Sequence, residues 1–142
     1  MTYELLIGID PGVNTGVAVW DTEKKCFLVI KTTTIVEAMK IVKDFVDARP
    51  TTIVIEDARK RKWLPKEKSF SEFKGKAMGA GSVMRDAKIW QEFADFYKIP
   101  IELRPPRPGM TKWDEDYWKK VTGWKGRTSE HARDAALLVF QR

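Results

Sequence analysis

Cysteine and histidine each occur only once in the 142 residues, as Cys26 and His131. A single cysteine cannot form an internal disulfide, which excludes the disulfide-stapled class of small secreted domains and suits a reducing compartment. No apolar run approaches the roughly 20 residues that a bilayer-spanning helix needs. The first residues also lack the basic region and small-residue cleavage site of a secretory signal. We therefore expect a cytoplasmic protein with no membrane partner.

Positive charge is in excess: the chain has 26 Lys and Arg and 20 Asp and Glu, which gives a net charge of +6. A basic domain favours polyanions, because binding to phosphates releases condensed counterions. Many basic proteins bind no particular anion, so this excess only raises the expectation of a nucleic-acid partner. The length fits a single domain, residues 1–142, that can bury a core without disulfides or a structural metal.

Three closely spaced strands are predicted for the first thirty residues. Glu4–Asp10 is nearly continuous in apolar residues, as in a central strand covered on both faces. Pro and Gly residues mark a tight turn after it, and Val17–Trp20 and Cys26–Ile30 follow as the second and third strands. Strands this close together form an antiparallel meander.

A helix and a second buried strand follow the meander. Thr34 and Glu37 fit a capping box at the start of a helix that ends before Pro50. Thr51–Glu56 is again strongly apolar and again ends on a carboxylate. Because strand–helix–strand connections are right-handed crossovers, this strand is expected to lie parallel to the first.

The rest of the chain predicts three helices and one more strand. The helices are expected from about Phe70 or Lys76 to Lys98, over Lys112–Val121, and from a cap at Ser129 to Val139 or beyond. Ile101–Arg104 is the strand. The order predicts an α/β domain with a mixed five-stranded sheet, three antiparallel strands followed by two parallel ones, flanked by helices.

Four side chains are candidates for a metal-dependent active site. Asp10 and Glu56 end two parallel strands, and those ends meet at the sheet edge where ligands of α/β folds bind. His131 and Asp134 are three residues apart and share one face of the last helix. Together they offer oxygen and imidazole ligands for Mg²⁺ or Mn²⁺. Two such ions about 4 Å apart can activate water and stabilise the leaving oxygen in phosphodiester hydrolysis.

Each of these residues also has a structural interpretation. Asp10 could be a turn residue, and Glu56 could be only the first exposed residue after its strand. His131 could cap or pack the last helix, and Asp134 could pair with a neighbouring arginine. Asp57 points to the opposite face from Glu56 by strand alternation and ranks lower. The combination of the four, rather than any one, favours a site.

A basic segment, residues 59–68, follows Glu56 and is expected to flank the same edge of the sheet. Its cations can contact phosphates, and an aromatic ring within it can stack on an unpaired base, although a solvated charged loop is the commoner role of such a run. The candidate DNA contacts in it are Arg59, Lys60, Arg61, Lys62, Trp63 and Lys66. Further basic residues could extend the patch: Arg104, Arg107, Lys112, Lys125 and Arg127.

Three segments in order, IGIDPGVNTGVAVW, IVIEDA and HARDAALL, resemble the RuvC family of Holliday junction resolvases, and the likeness covers most of the chain. The resemblance implies an RNase H-like fold, a homodimer and Mg²⁺-dependent nicking of opposed strands at a four-way DNA junction, with Mn²⁺ able to substitute. By matching position it implies that Asp10, Glu56, His131 and Asp134 are the catalytic metal ligands of a two-metal site. It also makes Lys112 an active-site or phosphate-binding lysine, and it identifies no helicase partner.

The chain departs from the family pattern in three ways. Many members have aspartate where His131 stands, and histidine there can serve as a ligand or as a general base. The position three residues after Glu56 is often aromatic in the family but is Arg59 here, with Trp63 nearby. The chain is also shorter than cellular members and resembles phage or prophage versions, which accept a wider range of branched DNA.

Other functions remain open on the sequence. They are a broader flap endonuclease, a catalytically inactive junction-binding protein and the RNA-processing branch of the same fold. The glycine turn DPGVNTGVAV also resembles the first phosphate loop of actin-like and sugar kinases, but that machinery needs a second domain that this length does not accommodate.

Overall fold

The computed structural model describes residues 4–57, 85–105 and 113–142. The strands are β1 Leu5–Asp10, β2 Thr15–Asp21, β3 Cys26–Thr33, β4 Thr51–Glu56 and β5 Ile101–Arg104. The helices are α1 Ile35–Ala48, α2 (helical over residues 85–97), α3 Glu115–Thr122 and α4 Glu130–Leu137. The predictions for the basic segment 59–68, for the first part of the α2 helix and for Lys112 lie outside the described residues.

The five strands form one mixed sheet in the order β3-β2-β1-β4-β5. β1 pairs antiparallel with β2, and β2 antiparallel with β3. β4 pairs parallel with β1 and β5 parallel with β4. The predicted α/β class, with three antiparallel strands followed by two parallel ones, is confirmed, including the central position of β1.

Helices cover both faces of the sheet, and side chains alternate between the two resulting cores. Ile7 of β1 points to the face that packs against α1 and α2, where Trp90 is fully buried. Val54 of β4 points to the other face, together with Trp118 of α3 and Ala135 of α4. Burial on both faces explains why β1 and β4 have apolar side chains at nearly every position.

Helix α1 begins where the sequence predicts, but its capping box is only half formed. The Thr34 hydroxyl accepts the main-chain N–H of Glu37 at 3.2 Å, as an N-cap should. The Glu37 carboxylate accepts from Lys31 and from the Thr33 hydroxyl on β3 instead of from the cap residue. The side chain thus ties α1 to the end of β3.

Helix α4 ends earlier than the predicted limit at Val139. It runs to Leu137, and the next two N–H groups bond three residues back, Leu138 to Ala135 and Val139 to Ala136. Bonds of this spacing form a tighter turn than an α-helix, which closes the element. Among the helices within the described ranges, none combines the length and the apolar character needed to cross a bilayer.

Three tryptophans in and beside α3 pack against the sheet. Trp118 is fully buried, and Phe27 of β3 contacts its ring with centroids 5.6 Å apart. Trp113 and Trp124 pack at the margin of the same core. This aromatic cluster holds α3 against the sheet and against the chain that follows α4.

Candidate active site

Asp10 and Glu56 lie side by side at the carboxyl edge of the sheet. The parallel register pairs Ile9 with Ile55, so the next residue of each strand, an acid in both cases, comes to the same position across the pair. Neighbouring strands are about 4.8 Å apart. Ile9 and Ile55 face α1 and α2, and strand alternation therefore turns both half-buried acids toward α4. Asp57 is buried, and alternation places it on the opposite face.

Helix α4 brings His131 into contact with Asp10. Nδ1 of His131 lies 2.9 Å from Oδ2 of Asp10, across 121 residues of chain. The imidazole is 52% exposed and the carboxyl 25% exposed, so the contact is open to solvent on one side. An ionised carboxylate can only accept, so Nδ1 carries a proton; in a neutral imidazole the Nε2 lone pair then faces away from Asp10.

The helix approaches the sheet closely at two glycines. A Cβ atom on Gly16 would overlap the main-chain carbonyl of His131, and one on Gly8 would overlap the carbonyl of Ala135. At the start of the helix, the Ser129 hydroxyl caps α4 and also contacts the Thr32 hydroxyl on β3. We did not single out the two glycines from the sequence, although a glycine inside an otherwise apolar strand is a recognised sign of close backbone approach.

Asp134 lies three residues after His131 on α4 and is half-buried. Residues at this spacing share one side of a helix. Within residues 4–57, 85–105 and 113–142, however, no three His, Cys, Asp or Glu side chains converge as a metal site. The structure brings Asp10 and His131 into contact and places Glu56 beside Asp10, but the four predicted ligands do not meet at one point.

Arg104 extends the row of charged residues across the sheet edge. The register pairs it with Glu56, and its guanidinium donates to Glu102 at 3.0 Å and to the Leu138 carbonyl at 3.5 Å. Burial acts to raise the pKa of Glu102, but hydrogen bonds and positive charge from Arg104 and Arg142 outweigh it and lower the pKa. Glu102 therefore stays ionised and fixes the arginine beside the site.

The segment between α3 and α4 carries two exposed cations, Lys125 and Arg127, close before the start of α4. The Arg133 guanidinium holds this segment with hydrogen bonds. It donates to the Trp113 carbonyl at 2.8 Å and to the carbonyl and hydroxyl of Thr128 at 2.9 Å. These hydrogen bonds fix the segment that carries the two exposed cations and leads into α4, the helix of His131.

The donor types at this edge fit a hard divalent cation. Carboxylate oxygens suit Mg²⁺ and Mn²⁺, and an imidazole nitrogen suits Mn²⁺ in particular. Asp10 and Glu56 are adjacent on one face, and His131 contacts Asp10 through Nδ1. The residues present are therefore compatible with a metal at this edge.

No protein-family model matches the chain, and a search of curated proteins gives no match either. The resemblance to resolvases therefore stays a prediction from the three sequence segments.

Proposed function

We propose that the chain is a divalent-metal-dependent endonuclease acting on branched DNA, with the four-way junction as its main substrate. The observation that supports this most is the contact between Asp10 and His131 at the edge where Glu56 also ends its strand. Two groups able to bind a cation touch there and a third ends the neighbouring strand, and the three come from distant stretches of chain. The likeness to RuvC-type resolvases, and with it the RNase H-like fold, is part of the same proposal.

In this proposal Asp10, Glu56, His131 and Asp134 hold one or two Mg²⁺ ions, or Mn²⁺ in their place. The metal supplies an activated water and stabilises charge on the leaving 3′ oxygen. The chain's own residues orient the reactants: Asp10 fixes the imidazole through Nδ1, and a neutral ring offers Nε2 as a ligand or a proton acceptor. Asp134, one helical turn on, completes the donor set when its side chain turns toward the edge.

The DNA backbone is proposed to run along the basic surface that borders this edge. Lys125 and Arg127 are exposed on the segment before α4, and the basic segment Arg59–Lys68 follows the β4 strand in sequence. Phosphate contacts by lysine and arginine position a nuclease on its substrate without reading sequence. In the same proposal Trp63 stacks on an unpaired base and Lys112 contacts a phosphate.

A resolvase cuts two opposed strands, and one active site of this kind cuts one strand. We therefore propose a homodimer with two equivalent sites, acting in the cytoplasm of a bacterial host and encoded by a phage or prophage.

The substrate class is tested by incubating the protein with five labelled DNAs: a mobile four-way junction, a fixed junction, a 5′ flap, a linear duplex and an RNA–DNA hybrid. Each reaction is run with Mg²⁺, with Mn²⁺ and with EDTA. We expect paired nicks at symmetric positions of the four-way junctions, dependence on the cation, and little cutting of linear duplex.

Equal cutting of flaps and junctions would assign the broader branched-DNA nuclease instead. Preference for the hybrid would assign the RNA-processing branch of the fold. Tight junction binding without any cutting under all metal conditions would make the chain a junction-binding protein and contradict the proposed enzyme.

A further inference from the structure

We infer that Gly8 and Gly16 are positioning residues: their missing side chains set the depth at which α4 lies on the sheet, and that depth brings His131 onto Asp10. The inference rests on the proposed function, because it assigns the two glycines a role in the candidate metal site. It goes beyond that function, because neither glycine carries a group that binds metal or DNA.

Small residues occupy β1 and β2 where α4 crosses them on the way to the site. On the face that α4 covers, the β1–β2 register pairs Leu6 with Trp20, then Gly8 with Ala18, then Asp10 with Gly16. The first pair is the bulkiest and lies at the edge away from the site, while Gly16 adds no side chain next to Asp10. The helix therefore comes closest to the sheet over Gly8 and Gly16, at Ala135 and His131.

Gly16 lies directly beneath His131. A Cβ atom there would overlap the His131 carbonyl group and would stand 3.1 Å from the main-chain nitrogen of Ala132. These are backbone atoms, which cannot rotate aside as the tip of a flexible side chain would. Any side chain at this position must lift the first turn of α4, and with it the imidazole.

Gly8 supports the helix one turn further on. A Cβ atom there would overlap the Ala135 carbonyl and would stand 3.5 Å from the Leu138 Cβ. Since Gly8 and Gly16 lie under two successive turns, they define the tilt of α4 as well as its height. Contact between the hydroxyls of Ser129 and Thr32 holds the start of the helix at that depth.

The depth of α4 in turn determines the tautomer of the His131 imidazole. With α4 at this depth, Nδ1–H of His131 donates to Asp10 at 2.9 Å, which selects the Nδ1–H tautomer of a neutral ring. A lifted helix breaks this bond, and the ring then exchanges between its two tautomers. Loss of the carboxylate partner weakens metal binding by a histidine, by roughly tenfold or more.

The test compares Gly16→Ala and Gly8→Ala with Ala18→Gly as a matched control. Ala18 lies on β2, faces the same core and is fully buried, so its change to glycine destabilises the sheet without adding an atom under α4. His131 is the only histidine, so the ¹⁵N spectrum of its ring at about pH 8, where an ordinary imidazole is neutral, reports its tautomer without overlap. Mn²⁺ affinity is measured on the same samples by calorimetry.

We expect the metal-free parent protein and Ala18→Gly to show the Nδ1–H tautomer alone. Both alanine variants should show a mixture, with Gly16→Ala the more affected, and their Mn²⁺ affinity should fall roughly tenfold while that of Ala18→Gly stays unchanged. Folded alanine variants that keep the parent tautomer and the parent Mn²⁺ affinity would overturn the inference.

If neither alanine variant folds, Thr32→Val tests the same positioning, since it frees the start of α4 from β3 and keeps the Ser129 cap. Loss of the single tautomer in Thr32→Val supports the inference, and its retention overturns it. The tautomer is measured without metal or DNA, so the measurement distinguishes failure of this inference from failure of the proposed nuclease function. A parent protein that cuts nothing, with tautomers that respond as expected, contradicts the nuclease but leaves the positioning role intact.

Discussion

Asp10 stands at the junction of three parts of the molecule. It ends β1, it precedes a turn in which the Thr15 hydroxyl donates to the Gly12 carbonyl at 2.7 Å, and its own carboxylate contacts His131 of α4. A structural turn residue needs no such long-range partner. Asp10 is therefore more than a turn residue, because it also ties α4 to the edge of the sheet.

Asp10→Asn is expected to abolish nicking while leaving junction binding largely intact. Asparagine keeps the size of the side chain, and its carbonyl can still accept from Nδ1 of His131, but the charge that attracts a cation is gone. Phosphate contacts elsewhere dominate DNA affinity. Nicking and gel-shift assays on the same labelled junction measure the two effects.

Glu56→Gln should behave in the same way, and His131→Ala should keep part of the activity because the carboxylates remain. Asp44→Asn on the exposed surface of α1, where the carboxylate pairs only with Lys40, is the matched control and should nick normally. If Asp10→Asn lost binding as strongly as cutting, a metal-ligand role for Asp10 would be ruled out.

Asp21, at the opposite edge of the sheet, is a charged residue whose role is structural. Its side chain is 1% exposed and meets Arg49 at 3.2 Å. The main-chain N–H of Lys24, the guanidinium of Arg49 and the N–H of Glu23 outweigh the effect of burial and lower the pKa of Asp21. The arrangement links the β2–β3 turn to the end of α1.

A lowered pKa makes the contribution of Asp21 to stability pH-dependent. The contribution is fully present above the unfolded-state pKa of about 3.9 and is lost as pH falls through the lower folded-state value. Asp21→Asn should therefore reduce the Tm at pH 7, and the difference from the parent should shrink below about pH 4. The Tm of the parent and of Asp21→Asn is measured by thermal unfolding at roughly even pH steps from about 2.5 to 7, and the difference between the two is compared across the steps.

Asp47→Asn serves as the control for that series, because Asp47 forms an exposed pair with Lys43. Its effect should be small at every pH. A Tm difference for Asp21→Asn that stays constant from neutral to acid pH would contradict the assigned pKa direction.

At the scale of elements, the short helix α3 depends on its cap. The Asp114 carboxylate accepts the main-chain N–H of Tyr117 at 2.8 Å, and Gly123 closes the other end in the left-handed region at φ 73°. Asp114→Ala should cost about 1 kcal/mol of unfolding free energy. Asp116→Ala, an exposed acid in the same first turn that is not the cap, should cost only a few tenths. Urea unfolding of the two variants compares them, and equal losses would contradict the capping role.

The sheet could be predicted from the sequence because its determinants are local. Apolar runs bounded by turns give β1 and β4, and the handedness of a crossover then places Asp10 and Glu56 at one edge. The depth of α4 could not be predicted, because it depends on Gly8 and Gly16 meeting a helix more than a hundred residues later. The contact of His131 with Asp10 follows from that depth, so the sequence indicates the right residues but not their geometry.

At the scale of the whole molecule, both helical layers carry exposed cations. Lys40 of α1 is paired with Asp44 at 3.0 Å, and Lys88 of α2 is exposed. Lys125 and Arg127 are exposed before α4. Their place next to the helix that bears His131, and not a difference in charge between the layers, makes these two the described cations proposed to contact DNA.

Charge reversal within Arg59–Lys62 should weaken junction binding and flatten its salt dependence, because each lost phosphate contact reduces the slope of log K against log salt by about 1. Fluorescence anisotropy at several salt concentrations measures the slope. Lys40→Glu on α1 is the control and should leave the slope unchanged. Identical slopes for all three proteins would place the DNA on another surface.

The central claim is that a divalent cation binds where β1, β4 and the start of α4 meet. Mn²⁺ added in small amounts to ¹⁵N-labelled protein tests this most directly, since the paramagnetic ion broadens the amide signals of residues close to it. The account predicts that signals around Asp10, Glu56 and His131 broaden first and that Asp10→Asn removes the effect. Broadening that begins instead at the acids of α1 or α3, or that persists unchanged in Asp10→Asn, would contradict it.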